Sequence, residues 1–152
     1  MKKLKIYLDT SVIGRYFDNE FKTWTEMFFD KIINGEITGV ISEATVKELN
    51  YAPDEVKEFL YQLPQNCIEK VEITDEMVSL SNKYINAGIV SQKYRDDALH
   101  IAVATVLNID VLVSWNFKHI VNLQKIRLFN SINLQEGYRL LEIRTPMEVL
   151  NE

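Results

Sequence analysis

The stretch Leu4-Lys5-Ile6-Tyr7-Leu8-Asp9-Thr10-Ser11 constrains this chain most, because a short run of strand formers stops on a carboxylate followed by two hydroxyl residues. Ile6, Tyr7 and Leu8 suit a pleated, buried strand, and Asp9-Thr10-Ser11 supplies helix-capping groups ahead of Val12-Ile13. Strand, tight turn and helix are expected in that order. Ligands of open α/β sheets bind outside the carboxyl ends of the strands, so Asp9 reads either as a helix cap or as a group facing a functional crevice.

The same pattern recurs downstream. After short and longer helices over Val12 to Asp18 and Phe21 to Asn34, the second with Trp24, Met27, Phe28, Phe29 and Ile32 as its apolar stripe, Glu36 to Ile41 reads as a buried strand. Ser42 and Thr45 then begin a helix on which Ala44, Glu48 and Tyr51 lie about one turn apart, so that Glu48 shares the face of small Ala44. Pro53 opens a helix to Leu63, Pro64-Gln65-Asn66 reads as a turn, Cys67 to Ile73 as a strand, and Thr74 caps a helix closing near Ala87-Gly88. Leu99, Ala102, Val103 and Val106 repeat with helical period behind Asp96-Asp97, which gives a buried helix with an acidic start. Val111-Leu112-Val113-Ser114 is a continuous apolar run suited to a parallel strand covered on both faces, and Trp115-Asn116-Phe117 again sets a polar group just past a strand end. Val121 to Gly137 reads as loop and helix, Leu140 to Ile143 as a last strand, and the segment after Thr145-Pro146 as a tail.

Strands alternating with helices predict an α/β fold on a parallel sheet, and 152 residues at 47% hydrophobic composition fit a single compact domain over 1–152. No segment approaches the ~20 apolar residues of a membrane span, and Met1-Lys2-Lys3 leads into a strand rather than a signal-peptide core, so a soluble cytoplasmic protein is expected. Cys67 is the only cysteine, which rules out an internal disulfide, and two histidines offer no zinc-site spacing. A net charge of −5 argues against broad attraction to nucleic acid, although carboxylates gathered to hold cations contribute to that total.

Strand ends at Asp9, Ser42 and Ser114, with a helix starting Asp96-Asp97 before the third, predict one acidic pocket at one edge of the sheet. Carboxylates brought together repel unless they bind hard divalent cations such as Mg²⁺ or Mn²⁺ through oxygen. Such sites activate water and stabilise charge on a phosphoryl group, which points to phosphodiester substrates. An aspartyl phosphotransferase with Asp9 as nucleophile needs a general acid two residues on, and position 11 is Ser.

At these residues the sequence resembles the PIN-domain ribonucleases, most of all the VapC-type toxins of toxin–antitoxin pairs, over nearly the whole chain. Tyr7-Leu8-Asp9-Thr10-Ser11-Val12 matches the first acidic motif, Ser42-Glu43-Ala44-Thr45-Val46-Lys47-Glu48-Leu49 the second and Asp97-Ala98-Leu99-His100-Ile101-Ala102 the third. The resemblance implies a three-layer α/β/α sandwich on a mostly parallel sheet. It implies one or two Mg²⁺ or Mn²⁺ ions on Asp9, Glu48 and Asp97, aided by Thr10 or Ser11, with Asp96 as an outer or alternative ligand. RNA would be the substrate, a cognate antitoxin protein the partner, and a homodimer a further expectation.

The sequence departs from the pattern at Asn116, where family members often carry a fourth acid. Its amide oxygen is expected to coordinate a cation or a metal-bound water, with one negative charge fewer weakening a second metal site. A PIN-like module that binds RNA or protein without cleaving is the competing expectation. His100 reads as a satisfied interior histidine, and Lys118 with His119 as phosphate contacts just past the third strand end. Asp9→Asn and Asp97→Asn are each expected to abolish activity and to relieve carboxylate repulsion in the metal-free protein.

Overall fold

The computed structural model describes residues 3–64 and 66–150. The Met1-Lys2-Lys3 lead and the turn expected at Pro64-Gln65-Asn66 fall partly on Met1, Lys2 and Gln65, which lie outside the described residues.

The elements run β1 (Lys5–Leu8), α1 (Thr10–Gly14), α2 (Lys22–Ile33), β2 (Thr38–Ser42), α3 (Glu43–Leu49), α4 (Asp54–Gln62), β3 (Ile68–Val71) and α5 (Asp75–Asn86). A 3-10 turn at Gln92–Tyr94 leads into α6 (Arg95–Val106), followed by β4 (Val111–Val113), α7 (Leu123–Gln135), β5 (Glu142–Arg144) and α8 (Pro146–Leu150). The sheet has the order β3-β2-β1-β4-β5, and every pairing in it is parallel. Tyr7 stands opposite Val40 on one side and Leu112 on the other, so β1 is the central strand.

Side chains alternate between two cores. Tyr7, Val40, Leu112 and Ile143 face a layer that includes Leu80 of α5, Ile101 of α6 and Phe129 of α7. Ile6, Leu8, Ile41 and Val113 face Val12 of α1, Phe28 and Ile32 of α2 and Val56 of α4. This period of two, buried on both faces, is what a central parallel sheet demands, and the result is the expected α/β/α sandwich with a PIN-like arrangement. Among the described residues no helix is long and apolar enough to cross a membrane.

Three expectations need correction. Met27 is exposed, because α2 buries Thr25, Phe28, Phe29 and Ile32, a face turned one position away from the one read in sequence. Thr25 is hidden since its hydroxyl donates to the Phe21 carbonyl at 2.8 Å and accepts the Trp115 indole N–H at 3.0 Å, which satisfies a buried polar group on an apolar face. The segment after Thr145 is helical: the Thr145 hydroxyl accepts from the Glu148 N–H at 3.2 Å, the Glu148 carboxylate accepts from the Thr145 N–H at 3.0 Å, and α8 packs on α2. The last strand starts two residues later than read and ends one later, at Glu142–Arg144, with Ile143 buried.

Candidate active site

Asp9 follows the central strand. Its N–H donates to the Val113 carbonyl at 3.1 Å, extending the β1–β4 ladder by one residue, and its side chain caps α1 by accepting from the Ser11 N–H. The two oxygens of Asp9 are treated differently. Oδ2 accepts from the Ser11 hydroxyl at 2.6 Å and the Ser114 hydroxyl at 2.7 Å, while Oδ1 faces the Nε2 of His100 at 3.7 Å. The cap reading is realised on Oδ2, while Oδ1 faces the buried His100 ring. Ser11 is itself fixed by accepting the Trp115 N–H at 2.9 Å, so the ends of β1 and β4 are laced through hydroxyls around one carboxylate.

Glu48 is carried by α3, which starts where β2 ends. Ser42 caps that helix by accepting from the Ala44 N–H, and Thr45 closes the capping box. One turn on from Ala44, Glu48 is drawn inward: its Oε1 accepts from the Thr10 hydroxyl at 3.0 Å and meets His100 Nε2 at 2.5 Å. The other ring nitrogen of His100 lies 2.6 Å from the Tyr7 hydroxyl, which lies 2.8 Å from the Ser42 hydroxyl. His100 is fully buried, as the interior reading required. Burial opposes its charge, but the Tyr7 oxygen, the Glu48 hydrogen bond and the Asp9 carboxylate outweigh burial and hold its pKa well above the ordinary value. His100 thus lies between two carboxylates that favour its protonated form, a role the sequence concealed behind a single histidine on an apolar helix.

Asp97 opens α6 three residues before His100. Burial first, and then repulsion from Asp9, push its carboxyl up to about 7; His100 pulls against them, repulsion from Glu48 adds less than that pull removes, and the Asn116 hydrogen bond opposes the rise least. Asp9, Glu48 and Asp97 therefore share one electrostatic environment, drawn from the ends of β1, α3 and α6. Asp96 goes elsewhere. It is exposed and borders a groove of about 410 Å³ with Ala44, Lys47, Glu48, Tyr51 and Leu99.

Asn116 does not point its oxygen at the acids. Its Oδ1 accepts from the Lys118 N–H at 3.2 Å and the His119 N–H at 3.0 Å, which fixes the amide orientation and turns Nδ2 toward Asp97 Oδ2 at 3.4 Å. The expectation of cation coordination through the Asn116 amide oxygen is corrected by this turn. His119 is also turned inward: it is 9% exposed, packs on Tyr94, and both ring nitrogens lack a hydrogen-bond partner. Of the pair expected to contact phosphate, Lys118 is the exposed member.

The donor chemistry fits a hard divalent cation, since Asp9, Glu48 and Asp97 offer oxygen only and Asp97 is strained by its like-charged neighbours. Among the described residues, no three acidic, histidine or cysteine side chains converge at metal-holding distance, and Glu48 is engaged by His100 and Thr10. Ser114 was read in sequence only as a strand end bordering the acidic pocket; the structure gives it a role, its hydroxyl donating to Asp9.

Comparison with known proteins supports the architecture. No family model matches the chain, and no curated protein matches it. Among solved structures it is similar to a chain of VapBC2 from Rickettsia felis bound to a DNA fragment from their promoter. The TM-score is 0.59 at 15% sequence identity, covering 92% of this chain and 98% of that one. At that identity the likeness concerns the fold.

Proposed function

We propose that this chain is a Mg²⁺- or Mn²⁺-dependent endoribonuclease, acting as the toxin of a toxin–antitoxin pair. The observation that carries the reading is the shared environment of Asp9, Glu48 and Asp97, in which burial first, and then the charge of Asp9, push the Asp97 carboxyl up to about 7. Those three side chains would hold the cation, which when bound supplies charge stabilisation at a phosphoryl group and a more acidic water. Ser11 and Ser114 hold Asp9 by one oxygen and leave the other presented. Thr10 orients Glu48, and His100 balances charge while the cation is absent. The VapBC2 complex lends the fold likeness from which an antitoxin partner is drawn.

The test is cleavage of labelled RNA by purified protein across Mg²⁺ and Mn²⁺ concentrations. Activity is expected with either ion and none in excess chelator; chelator-insensitive cleavage would sink the reading. Expression should arrest growth through the same site, so Asp97→Asn should relieve the arrest. The engagement of Glu48 by His100, with no three ligands converged, favours one alternative, a PIN-like module that binds RNA or protein without cutting. Failure of cleavage at every Mg²⁺ and Mn²⁺ concentration would favour it.

Asn116→Asp separates the two readings further. The new carboxylate takes the place of an amide 3.4 Å from Asp97 Oδ2, so it should lower the Mg²⁺ midpoint for cleavage a few-fold and lower the melting temperature in chelator. An unchanged midpoint, titrated on the same RNA as the parent, would show that position 116 does not face the ion.

A further inference from the structure

Beside the acidic crevice lies a basic and aromatic patch that the catalytic reading leaves unused. Tyr94 ends the 3-10 turn and stands just ahead of α6, whose first turn carries Asp97. The His119 ring packs on it with centroids 3.9 Å apart and planes inclined by 33°. His119 is buried and Tyr94 partly exposed, so Tyr94 is the outer ring of the pair. Lys93 Nζ and Lys118 Nζ approach the Tyr94 centroid to 5.6 and 5.9 Å. Neither lysine forms an ion pair among the described residues.

The patch is wired to the acids by one side chain. Asn116 accepts the His119 N–H with its oxygen and reaches Asp97 with its nitrogen, so Tyr94, His119 and Asp97 are linked through consecutive contacts. Two uncompensated ammonium groups on one ring, in a chain of net charge −5, contribute little to folding because they repel each other. They match a single-stranded nucleic acid, whose bases stack on aromatic faces while its phosphates meet lysines. An acidic peptide would use the ammonium groups but gain nothing particular from the ring.

We propose that Tyr94, Lys93 and Lys118 form a nucleotide subsite for single-stranded RNA, with one base stacked on Tyr94 and the adjoining phosphates on the two ammonium groups. The choice of RNA rests on the nuclease reading, but the subsite acts through binding and is measured without turnover. His119 supports the ring from beneath and Asn116 sets its position relative to Asp97.

The measurement is fluorescence anisotropy of a labelled single-stranded RNA in excess chelator, across salt concentrations, with a thermal melt of each variant as the folding control. Tyr94→Leu should weaken binding about tenfold, and Tyr94→Phe should regain most of that loss. The double variant Lys93→Ala/Lys118→Ala, at exposed positions, should flatten the dependence of log affinity on log salt by about 0.7 for each phosphate that is no longer neutralised. Wild-type protein that binds no RNA in chelator overturns the proposal, as do variants that bind like wild type, or an acidic hexapeptide that binds in a Tyr94-dependent way. Binding with these sensitivities but no cleavage under Mg²⁺ or Mn²⁺ upholds the subsite and removes the nuclease reading. Cleavage by a wild type whose variants bind unchanged does the reverse.

Discussion

Asp97→Asn is expected to raise the melting temperature of the metal-free protein at pH 8 and, on the nuclease reading, to reduce RNA cleavage by at least about a thousandfold, a loss in the range seen when a unit of catalytic machinery is broken. The two effects have one cause. Burial and the charges of Asp9 and Glu48 hold the Asp97 carboxyl at about 7 against an ordinary value of 3.8, so at pH 8 the folded protein carries an ionised group it disfavours. Three pH units correspond to about 4 kcal/mol as an upper bound, and partial exposure to solvent reduces that to about 2 kcal/mol, or roughly 4–8 °C in a chain of this size. Asparagine keeps the oxygen that accepts from Asn116 and discards the charge.

Asp9→Asn is expected to lose cleavage to the same degree but to lower the melting temperature. Its Oδ2 accepts from the Ser11 and Ser114 hydroxyls, and its Oδ1 faces the buried His100 cation, so the charge is compensated in the folded state and its removal costs about 1–3 kcal/mol. Relief of repulsion, expected from the sequence for both acids, should therefore show as a gain only in Asp97→Asn, since in Asp9→Asn the lost hydrogen bonds and ion contact outweigh it. Parallel shifts of the two variants in a melt with chelator would contradict this assignment.

What was legible in the sequence was whatever depends on period and position. Tyr7 between Ile6 and Leu8 announces a strand buried on both faces, and Ser42 with Thr45 announces a capped helix, so the sheet and its helices could be read ahead of coordinates. Partnerships across the sheet were not legible. That Asp9 accepts from Ser114 and that His100 bridges Tyr7 and Glu48 are contacts between residues whose spacing in sequence carries no signal. Met27 failed for a related reason: Thr25 is buried only because Phe21 and Trp115 satisfy its hydroxyl, and neither partner is announced by helical period.

The stability of the metal-free protein should fall as pH rises from about 5 to 9, and His100→Gln should expose why. The pKa of His100 is raised in the folded state, so its contribution is fully present below the unfolded value of about 6.5 and disappears as pH climbs through the folded value. Asp97 acts in the same direction: its folded form keeps a proton that the unfolded chain has released, so the folded state loses ground between about pH 4 and about 7. Neither offsets the other. At pH 6.5, His100→Gln leaves Asp9 and Glu48 without their buried counter-charge and the Tyr7 hydroxyl without a cationic donor, which should cost about 3 kcal/mol or more. As pH rises through the folded pKa, wild-type His100 itself becomes neutral, so the difference between wild type and variant should shrink. At pH 9, where the Asp97 carboxyl is ionised, adding Asp97→Asn to His100→Gln removes one of the like charges beside Asp9 and Glu48 and should recover part of the remaining loss, a coupling that a double-mutant cycle reads directly. Thermal melts of the four proteins in chelator at pH 6.5 and pH 9 make the comparison. A penalty for His100→Gln that is the same at both values would mean that His100 is neutral, with its hydrogen bonds rather than its charge holding Glu48.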